Sequence, residues 1–442
     1  MRRDLRSCME VLKSADRLIT LKKQVDPRFE VPALMKAAEK AGKAVLFEKV
    51  SKPGFRIINN VLSSREVLAL LFETSPEKVV HEWIERVKTP IAPELVSAGP
   101  VKDVVRRGSE VNLNDLPIVT HCSKDAGPFI TAGCVVAKDP DTGMRNVSIN
   151  RMQLKGRDKL GIRMMPPQHL GLIHEKSEKR GKNLEVAVAI GVHPFELMAA
   201  TTPVAYGVDE FGIAGSLRRE PLQVVKGESV DLEVPAAAEI ILEGEILAGV
   251  REPEGPFGDF MQYYVPVMDN HVFEVKAVTH RKDPVYQTIQ AGSLEDTCLL
   301  ALSREARIHE AVSKAAEVHA ISLAPTILAC AISIRKRFEG EPKNVAAAAF
   351  GVYPWLKYCV VVDHDVNVFE MNDVWWAMAT RSRPDKGLFL IPHAFGFPRD
   401  PFEIHQSKLG IDATAPLNQW EEFERKTVPG ADCLRLEDYL FP

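Results

Sequence analysis

The sequence has no apolar run approaching the roughly 18 residues that span a bilayer, and no strongly basic tract. Its 442 residues carry 56 Lys+Arg against 60 Asp+Glu, a formal net charge of −4, which argues against nucleic acid as the main partner. Cysteine is sparse and scattered: Cys8, Cys122, Cys134, Cys298, Cys330, Cys359 and Cys433, with no CxxC pair. An odd, dispersed set excludes a disulfide framework and fits reduced thiols. Cys330 and Cys359 lie in apolar runs and are expected in the core. GxSxG, Walker and GxGxxG motifs are missing, so serine-hydrolase, P-loop and Rossmann chemistry lose their usual anchors. The basic N-terminus "MRRDLRSCMEVLKSADRL" has apolar residues at helical spacing and no signal-peptide core. It reads as the amphipathic first helix of a cytoplasmic protein.

What is present is an ordinary globular composition, 45% hydrophobic and 26% charged, long enough for two or three domains. Residues 1–99 alternate helical and strand patterns, with "DPRFEVPALMKAAEKAG" as a helix and "KAVLFEKV" as a strand. Residues 100–300 change to many short β-runs bounded by Gly, Pro and Asp, the pattern of an antiparallel sheet or barrel. Residues 301–409 return to strands alternating with helices, including "TILACAISI", "KYCVVVDHD" and "NDVWWAMATRS". Residues 410–442 read as a tail, and "HEKSEKRGK" at 174–182 as a solvated charged loop.

Four polar clusters interrupt the β-rich segment: "NVSINRMQL" with Asn146 and Arg151, "MMPPQHLGLIHEK" with Gln168 and His169, "YGVDEFGIAG" with Asp209 and Glu210, and "PEGPFGDFMQYY" with Glu254 and Asp259. Strand alternation puts Asn146 and Arg151 on opposite faces unless the strand bends. Arg151 stands in an apolar strand, where a buried guanidinium needs an anion, and Glu254 is a natural candidate. Asn, His and Glu form a mixed donor set suited to Mg²⁺ or Mn²⁺ more than Zn²⁺. No HxxH or HExxH spacing joins them, so the plainer readings stay open: His169 as a hydrogen-bonded histidine near a turn, Glu210 as a solvated loop carboxylate.

In order along the chain, "LPIVTHCSKDAGPFITAG", "NVSINRMQL", "PPQHLGLIH", "YGVDEFGIAG", "PEGPFGDFMQYY", "THRKDPVYQTI" and "VNVFEMNDVWWAMATRSRP" together resemble the UbiD family of decarboxylases. That resemblance implies an α/β (α+β) fold: a split β-barrel flavin-binding domain between an N-terminal α/β region and a C-terminal α/β oligomerisation domain. It implies prenylated FMN, supplied by a separate flavin prenyltransferase, together with Mn²⁺ (or Mg²⁺) and K⁺. Asn146, His169 and Glu210 match the divalent-metal ligands, and the backbone of Ala199–Thr202 matches the potassium site. Arg151, Glu254 and Asp259 match the catalytic set, with Arg151 also contacting the flavin, Glu254 ionised beside it, and Asp259 returning a proton after CO₂ leaves. Gln168 matches a residue near cofactor and substrate carboxylate, and Arg381 and Lys386 stand where phosphate contacts are expected.

The implied activity is reversible, non-oxidative decarboxylation of an aromatic, heteroaromatic (furan-type) or α,β-unsaturated acid through a covalent adduct with the cofactor, in a homodimer or homohexamer. An isoprenoid phosphate acid and a hydroxybenzoate remain alternatives. So do an oxidoreductase using ordinary FMN and a non-catalytic subunit of a larger carboxylase. Relatives often carry "GDHTGYY" where this chain has "GDFMQYY", so Phe260 and Met261 are candidates for the substrate pocket. An apolar wall there is expected to raise the pKa of Asp259 toward a value useful for a general acid. Arg304 is a further pocket candidate for a second anionic group, against its plainer reading as a surface helix arginine.

Overall fold

Local signals set the first helix, Leu5–Ser14. The Asp4 carboxylate accepts from the Ser7 N–H at 2.8 Å while Ser7 Oγ accepts from the Asp4 N–H at 2.9 Å, a reciprocal cap that satisfies two orphan donors. Leu5, Cys8, Met9 and Leu12 recur at helical spacing and are buried. The computed structural model describes residues 4–164, 167–323, 325–402, 404–429 and 439, in two compact units, Met1–Arg307 and Ile308–Pro442. Among the described residues no helix is long and apolar enough to cross a membrane.

In the first unit a four-stranded sheet runs Leu18–Leu21, Ala44–Phe47, Arg56–Asn59, Val285–Gln287. Its last strand arrives from 226 residues or more beyond its neighbour and pairs with it in parallel, Val285 opposite Arg56. Residues 1–99 and 100–300 therefore share one folded unit, although the β-pattern changes near residue 100.

The second sheet of this unit is a nine-stranded half-barrel built on two long antiparallel strands, Ile240–Glu254 and Met268–His280. Lys159–Ile162, Met152–Leu154 and Phe129–Ile130 extend it on one side. Leu184–Ile190, Cys134–Lys138 and Arg145–Ile149 extend it on the other, and Val104–Arg107 pairs with Met268–His280. The long pair changes register at Gly244, where a Cβ would lie 1.9 Å from the Glu274 carbonyl. Only glycine lets the backbones approach that closely. Fully buried Val135, Val186, Val188, Leu242 and Phe273 join the core under this sheet, each worth roughly 1.5–3 kcal/mol of burial.

Two sequence expectations change here. "NVSINRMQL" is not one strand: Arg145–Ile149 ends before Asn150–Arg151, and Met152–Leu154 starts a new strand with different neighbours. The break frees Arg151 from the alternation that would have set it opposite Asn146. The charged run at 174–182 is mostly helix, His169–Lys179, with Leu170, Ile173, His174 and Ser177 buried. Its polar composition concealed a narrow inward face.

The second unit holds a five-stranded mixed sheet in the order Glu317–Ser322, Ala329–Arg335, Tyr358–Asp363, His405–Ala413, Leu388–Phe395. Helices Glu341–Val352 and Met371–Arg381 accompany it. Cys330 and Cys359 are buried free thiols within it. Leu409, Gly410, Ile411, Asp412 and Ala413 pair with Tyr358–Val362, so the chain beyond 409 begins inside a central strand instead of a tail.

Candidate active site

The strand Ile240–Glu254 ends by delivering Glu254 into the interior, fully buried. Arg151, released from the strand pattern, meets it in a two-pronged pair: Nε to Oε1 at 3.1 Å and Nη2 to Oε2 at 3.2 Å. Asn270, from the facing strand, donates Nδ2 to Glu254 Oε2 at 2.5 Å. The guanidinium lies over the Phe257 ring, 4.7 Å from its centre. A buried carboxylate is tolerable only with such partners, and they hold it in one orientation.

Beyond Glu254 the chain makes a hairpin, Phe257–Gly258 against Tyr264–Val265, with Asp259 at the start of its tip. The turn closes by the Gln262 N–H donating to the Asp259 carbonyl at 2.8 Å and the Asp259 N–H to the Tyr263 carbonyl at 2.9 Å. Two residues of the recognised stretches to which the sequence assigned no role anchor this hairpin. Asp125 accepts the Gly258 N–H on Oδ1 at 2.9 Å and the Cys122 N–H on Oδ2 at 2.8 Å. Gln153 accepts the Gly255 N–H at 3.0 Å. Burial lifts the Asp125 carboxyl above its ordinary range, while these N–H bonds and the nearby Arg151 charge pull it back.

The tip is more open than its composition implied. Asp259, Phe260 and Met261 are half-buried, and Tyr263 is 61% exposed. The expected apolar wall is thus partial, since both tyrosines turn outward.

At the far end of the strand Arg145–Ile149, Asn146 is buried and lines a small cleft with His169 and Tyr206. The helix Glu210–Arg218 begins here: Asp209 caps it by accepting the Phe211 N–H at 2.9 Å, and Glu210 Oε2 accepts the Val147 N–H at 2.7 Å. Burial pushes the Glu210 carboxyl up to about 7 and lowers His169, which keeps the imidazole neutral. Asn146 Nδ2 is buried with no hydrogen-bond partner. The cleft volume of about 10 Å³ suits one small ion. Among the described residues no three His, Cys, Asp or Glu gather as metal ligands. This set contains only two of those types, because its third donor is an amide.

The other sequence candidates fall elsewhere. Gln168 is exposed at the N-cap of the helix His169–Lys179. Arg304 is half-buried on the helix Leu294–Val312, donates to the Leu300 carbonyl, and lies near enough to Asp296 to act on its charge. In the second unit, buried Arg381 donates to Asp363 at 2.9 Å and to both oxygens of Asp365 at 2.7 Å. That makes it a structural ion pair in place of the open cation a phosphate would need. Lys386 is exposed.

Comparison with known proteins matches three family descriptions in chain order. These are the N-terminal domain of 3-octaprenyl-4-hydroxybenzoate carboxy-lyase at residues 9–87, its Rift-related domain at 94–294 and its C-terminal domain at 297–413. The anhydromevalonate phosphate decarboxylase of Methanothermobacter thermautotrophicus is 36% identical, covering 93% of this chain and 97% of that protein. The phenolic acid decarboxylase of Bacillus subtilis is 31% identical, over 94% and 93%. The UbiD-class enzyme HmfF from Pelotomaculum thermopropionicum, solved with FMN, superposes with TM-score 0.94 at 42% identity, over 99% of this chain and all of the other. An evolved dimeric form of HmfF, solved with prFMN, gives 0.92 at 41%, over 99% and 100%. With matches running from residue 9 to residue 413 and likeness over nearly whole chains, this protein belongs to the UbiD family and is a decarboxylase.

Proposed function

We propose that this enzyme decarboxylates a conjugated carboxylic acid, aromatic or heteroaromatic, with Arg151, Glu254 and Asp259 as its catalytic set and prenylated FMN as its cofactor. The observation that carries the reading is one hairpin holding two carboxylates in opposite surroundings, Glu254 locked to Arg151 and Asp259 at the half-open tip. FMN and prFMN in the two forms of HmfF support the flavin. When bound, the prenylated flavin supplies the electron sink for the carbon that loses CO₂.

The chain's own residues do the rest. Arg151 orients Glu254 and presents its unpaired Nη1 as a donor inside the site. Glu254, held by Arg151 and Asn270, is an immobile wall of the site. Asp259 keeps contact with solvent and returns one proton to the substrate carbon. Asn146, His169 and Glu210 would hold a Mn²⁺ or Mg²⁺ ion, whose charge offsets a buried carboxylate and a phosphate dianion. The Ala199–Thr202 carbonyls are the proposed potassium ligands. A homo-oligomer and supply by a separate prenyltransferase belong to the same reading.

The first reading of the substrate is a monocarboxylic acid such as a furan or hydroxybenzoate. The name of the Methanothermobacter relative favours the second reading, an isoprenoid phosphate acid. The test is CO₂ release from a panel holding both classes, using enzyme co-expressed with a flavin prenyltransferase and checked by the mass of its bound flavin. Release from a conjugated monoacid is expected. Prenylated flavin bound with no release from any acid would reject the reading in favour of a non-catalytic subunit, and unmodified flavin with reductant turnover would favour an oxidoreductase.

A further inference from the structure

The strand Met152–Leu154 carries Gln153 inward, 5% exposed. Its amide joins two backbone groups of fixed chemistry. Oε1 accepts the Gly255 N–H at 3.0 Å, and Nε2 donates to the Ala126 carbonyl at 3.3 Å. An N–H can only donate and a carbonyl only accept, so the amide has one orientation. Ala126 in turn donates its N–H to the Pro256 carbonyl at 3.0 Å. The main chain just past Glu254 is thereby held at two successive residues.

Directly opposite Gln153 in the antiparallel pair stands Gly161, and opposed residues share a face of the sheet. A Cβ at Gly161 would lie 3.3 Å from Glu254 Cγ and 3.6 Å from Glu254 Cβ. The missing side chain is the space that the Glu254 stem lies against. Lys155 Cε, 3.2 Å from the same point, is the end of a flexible chain and can step aside. The Glu254 stem has no such freedom, because Arg151 and Asn270 hold its head and Gln153 holds its backbone.

We propose that the opposed pair Gln153 and Gly161 is the seat of Glu254. Gln153 is a positioning residue that acts through the main chain of Gly255, and Gly161 leaves the room that lets the carboxylate meet Arg151 squarely. The inference rests on the reading of Glu254 as catalytic. An apolar side chain would fill the core position of Gln153 as well. It could not accept the N–H next to Glu254 and so fix that residue against Arg151.

Gly161→Ala adds one methyl group, and the Glu254 stem must give by a few tenths of an ångström. Gln153→Met keeps the length of the side chain and removes both hydrogen bonds. In holoenzyme each is expected to lower kcat about tenfold while KM stays within about twofold and flavin content is unchanged. An unmoved kcat in either variant, or a loss that KM and flavin content share, overturns the inference. Full turnover in Glu254→Gln rejects Glu254 as catalytic, and unfolding then decides the seat. Gly161→Ala should lower the urea midpoint of the wild type, and by about half as much or less in an Arg151→Met, Glu254→Ala background that lacks the stem and its cation. Equal drops overturn the seat whatever the kinetics. Should Gly161→Ala or that background fail to fold, the kinetic split of Gln153→Met decides alone, and an unmoved kcat there overturns it.

Discussion

The base and the tip of the acidic hairpin offer two treatments of the same functional group. At the base, Glu254 is fully buried, gripped by Arg151 on both oxygens and by Asn270 on one. At the tip, five residues on, Asp259 is half-exposed on a turn bordered by outward tyrosines. The difference is one of burial and partners, and on the proposed reading it leaves a fixed ion pair at the base and the proton transfer at the tip.

The comparison breaks most completely at the base. Arg151→Met leaves Glu254 buried without its cation, which should cost about 3–5 kcal/mol of stability and abolish turnover. Urea unfolding with unchanged midpoint would show that the pair stores nothing. Asp259→Asn should lose about 10²–10⁴-fold in kcat while its unfolding midpoint stays within about 0.5 kcal/mol of wild type and flavin is retained. Near-wild-type turnover in that variant would remove the tip from the mechanism.

How much of this was legible in the sequence follows from which signals are local. Arg151 needed an anion because an apolar strand surrounds it, and that argument found Glu254 without any structure. The divide at residues 145–154 was hidden because "NVSINRMQL" alternates well enough for one strand, and only different neighbours on either side reveal the break. Asp125 was missed for another reason: it stands in the recognised stretch "LPIVTHCSKDAGPFITAG", and only its long-range bond to the Gly258 N–H gives it a role. Arg381 failed in the opposite sense: its charge was legible, but its commitment to Asp363 and Asp365 was not.

The candidate metal corner sharpens the contrast, because Glu210 is a buried carboxylate held by the Val147 N–H where Glu254 is held by a guanidinium. Its folded pKa, about 7, lies above the ordinary carboxylate value. Its stabilising preference for the protonated form is therefore complete below the unfolded value and lost as pH rises through about 7. In metal-stripped protein, wild type should lose more melting temperature than Glu210→Gln between pH 5 and pH 8. Added Mn²⁺ should restore wild type at pH 8 and do little for the variant. Equal Mn²⁺ responses would detach Glu210 from the ion.

The smallest effect expected separates holding the hairpin from doing its chemistry. Asp125 accepts the Gly258 N–H of the hairpin and ties it to the Cys122 N–H. Asp125→Ala leaves two half-buried donors without their acceptor, a cost of about 1–3 kcal/mol, and loosens the residue that immediately precedes Asp259. Base and tip should then respond unequally. The Arg151–Glu254 pair is held by Asn270 and by its own two-pronged geometry, so flavin binding should persist, whereas kcat should fall about tenfold as Asp259 samples unproductive positions. Asp125→Asn keeps one acceptor and should recover part of that loss. Equal losses of flavin and kcat in Asp125→Ala would mean that base and tip move as one body, and that the division of labour between them lies in solvent access alone.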